Sequence, residues 1–457
     1  MPDIEIYLMA LKDYNNGKIS FTEFEDIRKR FAIDNDNKKA LSKEKLPQLF
    51  NKLFEIVSQY LCLNNLNSAL RIILAAYIAN QLDGFPVWLL IIGASSGGKT
   101  ELLHLLYEQE GVIFISSLTA QTFASGYKGK KGGASLLEQL PKYQVAVLVF
   151  KDFGSILELQ KDKRAEIIAQ LREIADGQYG KRFGTGDSVE WNGKLALICA
   201  STTAYELYSS VIQVLGERFL IFKLLPSATD QKLIARKALE SDQKETLKQS
   251  ARQIVKEILS TVDYSQKVKI LSEINEALIS LSVLIATLRS GVIRNSYSHE
   301  ILYVPEPESP ARIAQQFNQL LKGLVLLRGD TVATKEDYDL VLKVGLSCVP
   351  SHRLEAIEYL NEHDSINSAD LSEILGVSEQ TALRTLQDLK ALGVLELSLN
   401  KKNWTLSSPY HDLLQTVSVV ASQDNKNKMT PENQQGIYQV PDLKEGNDIS
   451  NLKKGDV

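Results

Sequence analysis

The sequence has little of what secreted and membrane proteins use. It contains only three cysteines in 457 residues, Cys62, Cys199 and Cys348, and no two of them form a C-x-x-C pair. Their wide spacing in apolar surroundings predicts reduced, buried thiols rather than a disulfide framework. No apolar stretch approaches the roughly 18 residues that a membrane span requires, and no signal pattern opens the chain. We therefore expect a cytoplasmic protein without a membrane partner.

Strong charge of either sign is also lacking. The chain carries 52 Lys and Arg residues against 56 Asp and Glu residues, which gives a formal net charge of −4. A protein of this balance can bind nucleic acid only through local basic patches, so total charge alone does not indicate such a partner. The hydrophobic fraction of 44% is that of a globular protein. The length predicts roughly two to four domains.

One eight-residue segment carries the clearest chemical signal, because GASSGGKT is a complete G-x-x-x-x-G-K-[ST] phosphate-binding loop. Its residues are Gly93, Ala94, Ser95, Ser96, Gly97, Gly98, Lys99 and Thr100. An apolar run at 87–92 precedes the loop and a helical pattern at 101–107 follows it. Lys99 would reach the β- and γ-phosphates, and the Thr100 hydroxyl would bind Mg²⁺. The segment predicts binding of ATP with Mg²⁺, and GTP stays open as the alternative.

A second apolar run ends in an acidic residue. The run at 145–150 is followed by Asp152, and a carboxylate at the carboxyl edge of a parallel sheet can hold Mg²⁺ or act as a base. Hydrolytic enzymes of this kind usually carry Asp-Glu here, whereas Phe153 follows Asp152. Glu158 is then a candidate substitute, and binding is better indicated than hydrolysis. A third run, 195–200, ends in Ser201, Thr202 and Thr203, polar residues that could orient the attacking water, and Thr202 is the catalytic candidate among them.

Apolar runs alternate with helical patterns between residues 67 and 225, which predicts a parallel sheet covered by helices on both faces. We divide the chain into five parts: a helical N-terminal region at 1–66, an α/β nucleotide-binding domain at 67–225, a helical lid at 226–350, a winged helix-turn-helix at 351–408 and a mostly disordered tail at 409–457. Within the tail, residues 423–457 are rich in Asn, Lys and Gln and have hardly any periodicity, which predicts disorder there.

Two arginines stand where a nucleotide site between subunits would use them. Arg218, in Gly-Glu-Arg-Phe, suits delivery to a neighbour's γ-phosphate, and Arg312 opens a helix from which it could reach the phosphates. A surface arginine paired with Glu217 is the alternative for Arg218. With the phosphate loop, the Asp152 strand and the Thr202 edge, these residues occur in the order found in AAA+ ATPases. Residues 67–349 resemble that family, and the resemblance implies a homo-oligomeric ring, for example a hexamer, with nucleotide between subunits.

A turn-rich segment lies just before the 195–200 run. Gly184-Thr185-Gly186 and Asn192-Gly193 supply turn residues for a β-hairpin. Minichromosome-maintenance-like helicases insert a hairpin into the ring pore at this point, and the resemblance would place Lys181 and Arg182 on DNA phosphates. An ordinary surface hairpin fits the same residues.

Residues 363–406 have the pattern of a winged helix-turn-helix. A capped helix at 368–375, the turn at 376–378 and a second helix at 379–392 form the helical pair, and 394–397 with 404–406 form the wing. The spacing turns three residues of the second helix inward and four outward, at the end that enters a major groove. The inward residues are Leu383, Leu386 and Leu389, and the outward residues are Gln380, Thr381, Arg384 and Thr385.

Arg384, Lys401 and Lys402 are the candidate DNA contacts of this module. Across 351–408, however, five Lys and Arg residues stand against nine Asp and Glu residues. Because a DNA reader normally concentrates positive charge, docking to another protein is the alternative role.

The expected fold is an α/β P-loop domain of AAA+ type with a helical lid, a helical N-terminal region and a C-terminal winged helix. The leading functional prediction is an ATP-hydrolysing motor on single- or double-stranded DNA, similar to the helicases or helicase loaders of phages and mobile elements. Its catalytic residues would be Lys99, Asp152, Thr202, Arg218 and Arg312, with Thr100 and Asp152 at the metal. A second prediction is a transcriptional regulator in which ATP switches DNA binding with little turnover. A third is a loader that remodels a replication or transcription protein.

Overall fold

The computed structural model describes residues 43–124, 135–140, 146–184, 187–208, 218–225, 231–239, 244–295, 297–398 and 402–420, with single residues at 13, 20 and 23. The first part is α/β. Its helices are α1 at 43–60, α2 at Leu66–Gln81, α3 at Lys99–Leu103, α4 at Ala120–Phe123, α5 at Leu136–Gln139, α6 at Gly154–Leu157 and α7 at Lys161–Ala175. Its strands are β1 at Trp88–Ile92, β2 at Val112–Ile115, β3 at Ala146–Phe150, β4 at Gln178–Arg182, β5 at Ser188–Asn192, β6 at Leu195–Ser201 and β7 at Phe219–Lys223.

A mainly helical part and a small C-terminal module follow. The helical part contains α8 at Gln231–Leu239, α9 at Lys244–Thr261, α10 at Ser272–Leu288, the strands β8 at Ile293–Arg294 and β9 at Ile301–Tyr303, α11 at Ala311–Leu327 and α12 at Lys335–Ser347. The module contains α13 at Ser351–Glu362, α14 at Ser368–Leu375, α15 at Glu379–Ala391, β10 at Leu395–Leu397 and β11 at Trp404–Leu406, and α16 at Ser408–Val420 follows it.

Five parallel strands in the order β2-β3-β6-β1-β7 form the central sheet. Strands β1, β3 and β6 are buried along their whole length, as expected of parallel strands covered on both faces. Because all five strands run in one direction, their carboxyl ends meet at the same edge. Strand β6 lies between β1, which leads into the phosphate-binding loop, and β3, which leads to Asp152. The predicted covered parallel sheet is confirmed.

Alternate residues of each strand pack into two different cores, because successive side chains of a strand point to opposite faces. Leu89 and Ile91 of β1 belong to the larger core, with α2 and the helices of the second part. Trp88 and Leu90 belong to the smaller core, with α6 and α7. The sheet is therefore the middle layer of three. Because helices cover both of its faces, functional residues are expected where the strands end.

The helical part covers the edge strand β7. The backbone N–H of Ile221 donates to Cys348 Sγ at 3.2 Å, and that of Lys223 donates to Ser347 Oγ at 3.4 Å. Both acceptors lie at the C-terminal end of α12. Edge strands with free backbone groups pair with other chains, and these contacts block that pairing.

Three expectations need correction. The region 226–350 is not all helical, since β8 and β9 pair as an antiparallel hairpin within it. Residues 409–420 are not disordered: they belong to α16, whose Leu414, Val417 and Val420 are buried at helical spacing. The rest of the expected tail, 421–457, lies outside the described residues. Cys62 is half-buried rather than buried, and all three cysteines are free thiols.

Membrane insertion finds no support in the helices. Within the described ranges, none is both long enough and apolar enough to cross a bilayer.

The crossing of α2 and α11 holds the helical part to the sheet, and Gly323 should be essential to it. A Cβ at Gly323 would meet the carbonyl oxygen of Ala75 and lie 3.2 Å from the Cβ of Ala79. We expect Gly323→Ala to lower the free energy of unfolding by about 1–3 kcal/mol, because a packed crossing cannot take an extra methyl group. Urea denaturation would measure it.

Gly180→Ala is the matched control, since a Cβ there has no neighbour within 4 Å among the described residues. Equal stability of the two variants would show that the helices do not cross as closely as the structure places them.

Candidate phosphate-binding site and helix-turn-helix module

The phosphate-binding loop leaves the carboxyl end of β1 with a backbone that alternates in handedness. Ser96 has φ of 58° and Gly98 has φ of 83°, both in the left-handed region that side chains other than glycine avoid. Alternation of right- and left-handed residues turns successive N–H groups toward one concavity, which is how proteins bind anions. Left-handed backbone at Ser96 costs free energy, and such strain concentrates at ligand sites.

The glycines of the loop are required by close approach. A Cβ at Gly97 would lie 2.9 Å from the carbonyl oxygen of Ala94, which accepts a hydrogen bond from the Gly97 N–H. A Cβ at Gly98 would collide with the Leu61 side chain, which follows α1. The segment between α1 and α2 therefore supports the loop from outside the sheet.

Lys99 lies across the loop, half-buried. Its Nζ donates to the carbonyl oxygens of Gly93 at 2.9 Å and Ala94 at 2.5 Å. Burial lowers the pKa of Lys99, and the nearby Asp152 carboxylate opposes that shift. An ammonium group that is partly desolvated and held only by carbonyl oxygens is stabilised in its charged form when an anion binds beside it.

The ends of three strands bring the remaining polar groups to the loop. The Gly93 N–H donates to the Ser201 carbonyl at 3.3 Å, and the Phe153 N–H donates to the Ala200 carbonyl at 2.8 Å. Asp152 Oδ1 and Ser201 Oγ lie 3.1 Å and 3.5 Å from one point, the place where a Cβ of Gly154 would stand. The missing side chain of Gly154 leaves room for the carboxylate and the hydroxyl together.

Ser201 has the only side-chain hydroxyl near this edge that is buried without a hydrogen-bond partner among the described residues. The residue is 2% exposed, and no acceptor or donor reaches its Oγ. Burying an unpaired hydroxyl costs free energy, so this one beside the phosphate loop is a candidate contact to a bound ligand. The prediction had chosen Thr202, which is only half-buried. The alternation of β6 identifies Ser201 as the buried hydroxyl, because its side chain lies on the same face of the strand as that of the buried Cys199. The Thr202 side chain does not lie on that face.

The position after Asp152 cannot supply a base. Phe153 is fully buried and packs edge-on against Phe219, with ring centroids 5.1 Å apart. Glu158, the candidate substitute, is exposed at the C-terminal end of α6. Of the predicted nucleotide-site residues, the structure brings together the loop Gly93–Thr100 and Asp152. Among the described residues, no group of three or more His, Cys, Asp or Glu side chains forms a metal cluster.

Arg218 is not directed toward another subunit. It is 5% exposed, and its Nη2 contacts Asp176 of the same chain at 2.9 Å and 2.7 Å. Burial lowers the pKa of Arg218, and the hydrogen bonds that its guanidinium donates to Asp176 oppose the shift. Within its own chain this arginine is the partner of Asp176, and its role in trans stays a prediction.

Arg312 lies at the same place, away from the phosphate loop. Its Nη2 is 3.9 Å from Asp176 Oδ1 and its Nη1 donates to Glu308 at 3.0 Å, while Gln316, one turn later, donates to the Arg218 carbonyl.

Arg218 precedes β7, whose first residue pairs with the first residue of β1. The loop follows the last residue of β1, so a strand length of roughly 16 Å separates these arginines from it. Arg312 thus lies about a strand length from the phosphate loop of its own chain, and its role at the phosphates stays a prediction.

The predicted β4–β5 hairpin is present, with Gln178 paired to Asn192 and Arg182 to Ser188. Arg182 is exposed, whereas Lys181 is half-buried and its Nζ is 3.4 Å from Glu166 of α7. Only Arg182 is thus fully available to a solvent-side partner.

The C-terminal module has the capped helices that its sequence predicts. The Asn367 side chain accepts hydrogen bonds from the N–H groups of Ala369 and Asp370 at the start of α14. Gly376 ends α14 with φ of 63°, and the Ser378 side chain caps α15 by accepting from the Thr381 N–H. Both caps fix where the two helices turn.

The buried face of α15 is shifted from the prediction. Ala382, Thr385, Leu386 and Leu389 are its buried residues, so Thr385 points inward and Leu383 is only half-buried. Gln380 and Thr381 are exposed and Arg384 is half-buried. Lys402 is exposed at the wing, and Lys401 lies outside the described residues.

Comparison with known families supports the C-terminal module. A family model described as an HTH domain matches residues 352–402, from α13 through β10. No curated protein matches the chain significantly. The chain therefore carries a helix-turn-helix domain, an architecture that indicates DNA binding, and the match does not reach residues 67–349.

The ion pair of Arg218 with Asp176 leads to a stability prediction that distinguishes an internal role of Arg218 from a role in trans. We expect Asp176→Asn to lower the free energy of unfolding by about 1–3 kcal/mol, because it leaves a buried guanidinium without its charge partner. The figure is reduced from that of a fully buried pair because the Asp176 side chain is half exposed. Thermal or urea denaturation would measure it.

Glu166→Gln is the control, since its pairing with Lys181 is exposed on the Glu166 side and should contribute less than about 0.5 kcal/mol. A loss no larger for Asp176→Asn than for this control would restore Arg218 as a side chain free to turn outward.

Proposed function

We propose that this protein binds ATP with Mg²⁺ at the Gly93–Thr100 loop, hydrolyses it, and uses the cycle to act on DNA. The observation that supports this most directly is the anion-binding backbone at Ser96 and Gly98, beside the unpaired Ser201 hydroxyl and the Asp152 carboxylate. The helix-turn-helix domain at 352–402 supports DNA as the partner.

The residues at the loop fit a bound triphosphate and metal. Lys99 would exchange the carbonyl oxygens of Gly93 and Ala94 for phosphate oxygens, which accept stronger, charge-assisted hydrogen bonds. Thr100 is exposed at the start of α3, where its hydroxyl can bind a metal ion that Asp152 also holds. The triphosphate supplies the γ-phosphoryl group for transfer to water. The Ser201 hydroxyl is placed to donate to an oxygen at that end of the site.

The arginines are not part of this proposal. Arg218 and Arg312 are tied to Asp176 at the opposite edge of the sheet, so they support neither a ring nor a site shared between subunits. The resemblance to AAA+ ATPases still favours assembly into a ring, in which the exposed Arg182 of the β4–β5 hairpin could contact DNA phosphates.

A second function has its own support. Phe153 occupies the position of the usual catalytic glutamate and is buried, which favours slow turnover. In that case ATP would act as a switch that changes how the helix-turn-helix domain binds duplex DNA, in the manner of a transcriptional regulator.

Lys99→Ala tests the nucleotide site. We expect at least about a 100-fold loss of ATP affinity, which corresponds to about 2.7 kcal/mol, because the charge-assisted contacts to the phosphates disappear. Titration with a fluorescent ATP analogue measures it. Lys335→Ala serves as a control with the same charge change, since Lys335 pairs with Glu273 on the surface and both side chains are about half exposed. Full affinity of Lys99→Ala for ATP would refute the loop assignment.

The two functions differ in their ATPase rates with single-stranded DNA, with duplex DNA and with neither. A motor should hydrolyse ATP several-fold faster with one form of DNA, whereas a switch should show the same slow rate in all three cases and an ATP-dependent change in duplex affinity.

Ser201→Ala sharpens that comparison. It should keep ATP affinity within about threefold and should not lower stability, since it removes an unpaired hydroxyl. Under the motor proposal its stimulated rate should fall at least tenfold, roughly the effect of one lost hydrogen bond in a transition state. A rate equal to that of the unmutated protein would remove Ser201 from the mechanism.

A further inference from the structure

A short hairpin interrupts the helical part between α10 and α11. Its strands pair Ile293 with Tyr303 and Arg294 with Ile301. The apolar side chains of Leu302 and Tyr303 are 63% and 59% exposed, so the hairpin has little core of its own. What holds it in place is its contact with the helix-turn-helix module.

Arg294 is the centre of that contact. Its Nε donates to Asp388 Oδ1 at 2.9 Å, and its Nη2 donates to the backbone carbonyl of Arg384 at 3.1 Å and to Gln387 Oε1 at 3.3 Å. The side chains of Arg294 and Asp388 are each only 16% exposed. Charge-assisted hydrogen bonds that are this far removed from water are much stronger than a surface ion pair.

The hairpin lies on the outward face of α15. The helix buries Ala382, Thr385, Leu386 and Leu389 against the rest of the module, whereas the groups that Arg294 contacts belong to residues 384, 387 and 388. At about 100° per residue these three positions lie on the side opposite the buried face. Ile301 of β9 continues the contact, since it borders a cleft of ≈ 940 Å³ together with Leu383, Gln387 and Trp404.

This face is the one that a recognition helix turns toward the bases. An α-helix with its side chains is about 10–12 Å across, and the major groove is about 12 Å wide. No space is left in the groove for a second element between the helix and the base edges. In this arrangement the N-terminal end of α15, with Ser378 at the cap and Gln380 and Thr381 in the first turn, remains exposed.

We propose that the β8–β9 hairpin and duplex DNA compete for the same face of α15, so that the helix enters a major groove only after Arg294 releases it. The proposal rests on the proposed DNA binding by this module. It adds that the helical part of the chain, which connects the α/β domain to the module, determines whether the recognition helix is available.

The charge of Asp388 fits this competition. If Arg294 no longer contacts α15, an unpaired Asp388 carboxylate would face the DNA and repel its phosphates. A second arginine near Asp388 prevents this. Arg353 Nη2 lies 3.6 Å from Asp388 Oδ2, and its Nη1 donates to the carbonyls of Leu288 and Ser290 at the end of α10. The module can therefore lose the hairpin without leaving Asp388 isolated.

Arg294→Ala tests the competition in the full-length chain. Loss of a cation normally weakens DNA binding, so tighter binding by this variant has no simple electrostatic cause. We expect the Kd for a mixed-sequence duplex to fall by roughly five- to twentyfold, as the fraction of accessible recognition helix rises. Fluorescence anisotropy at fixed salt measures it, and Lys335→Ala, with the same charge change away from the module, should bind equally or slightly more weakly than the unmutated protein.

Each result has a distinct meaning. If the unmutated protein binds duplex DNA and Arg294→Ala binds no more tightly, the competition is refuted while DNA binding stands. If no variant binds DNA at low salt, the proposed DNA binding fails and the competition fails with it.

Hydrogen–deuterium exchange on the unmutated protein gives an answer that does not depend on a stable variant. On addition of duplex DNA, the amides of β8 and β9 should exchange faster and those of residues 380–387 should exchange more slowly. Slower exchange in β8 and β9 would mean that the hairpin itself contacts DNA, and unchanged exchange would mean that it stays on α15. Either result overturns the proposal.

Discussion

The parallel direction of β1, β6 and β3 is the constraint on which the candidate site depends. Parallel strands end at one edge, so the loop after β1, the hydroxyl at the end of β6 and the carboxylate after β3 meet although they lie far apart in sequence. Strand β6 does more than separate the other two. Its carbonyls at Ala200 and Ser201 accept the N–H groups of Phe153 and Gly93, which fixes both flanking loops. The ends of the three strands are therefore joined by backbone hydrogen bonds, and the left-handed Ser96 lies in the phosphate loop between β1 and α3.

The same directionality explains what the sequence could predict and what it could not. Motifs that act locally were read correctly: the loop after a buried strand, the capped pair α14 and α15, and the turn residues of the β4–β5 hairpin all specify their own geometry. The positions of Arg218 and Arg312 could not be predicted from the sequence, because a helix or loop after the fifth strand can approach either edge of a sheet and packing decides which edge it meets. Here Gln316 and Gln319 of α11 donate to the carbonyls of Arg218 and Asp83, which ties that helix to the amino edge.

Two other errors have a common physical cause. Residues 408–420 and 293–303 are too polar or too short to show a strong periodic signal, and each forms an element because another surface is ready to receive it. Helix α16 packs on α10, where the Tyr410 hydroxyl meets Thr287 at 3.1 Å, and the β8–β9 hairpin is held by Arg294 on α15. The sequence could not single out Ser201 from Thr202 and Thr203 at the same edge, because burial of a hydroxyl is not visible in a list of polar residues and only the face of the strand reveals it.

The acidic balance of the helix-turn-helix module has an explanation in these contacts. Asp388 is used internally by Arg294 and Arg353, so this carboxylate does not simply face solvent. Burial, together with Glu355 and Glu362, raises the pKa of Glu358 to about 7, so this group is only partly ionised near neutral pH. The formal count of charges therefore overstates the repulsion that DNA would meet. The guanidinium of Arg294 decides whether α15 is accessible to DNA. The acidic residue that it neutralises, Asp388, lies on the face of α15 that would enter a major groove.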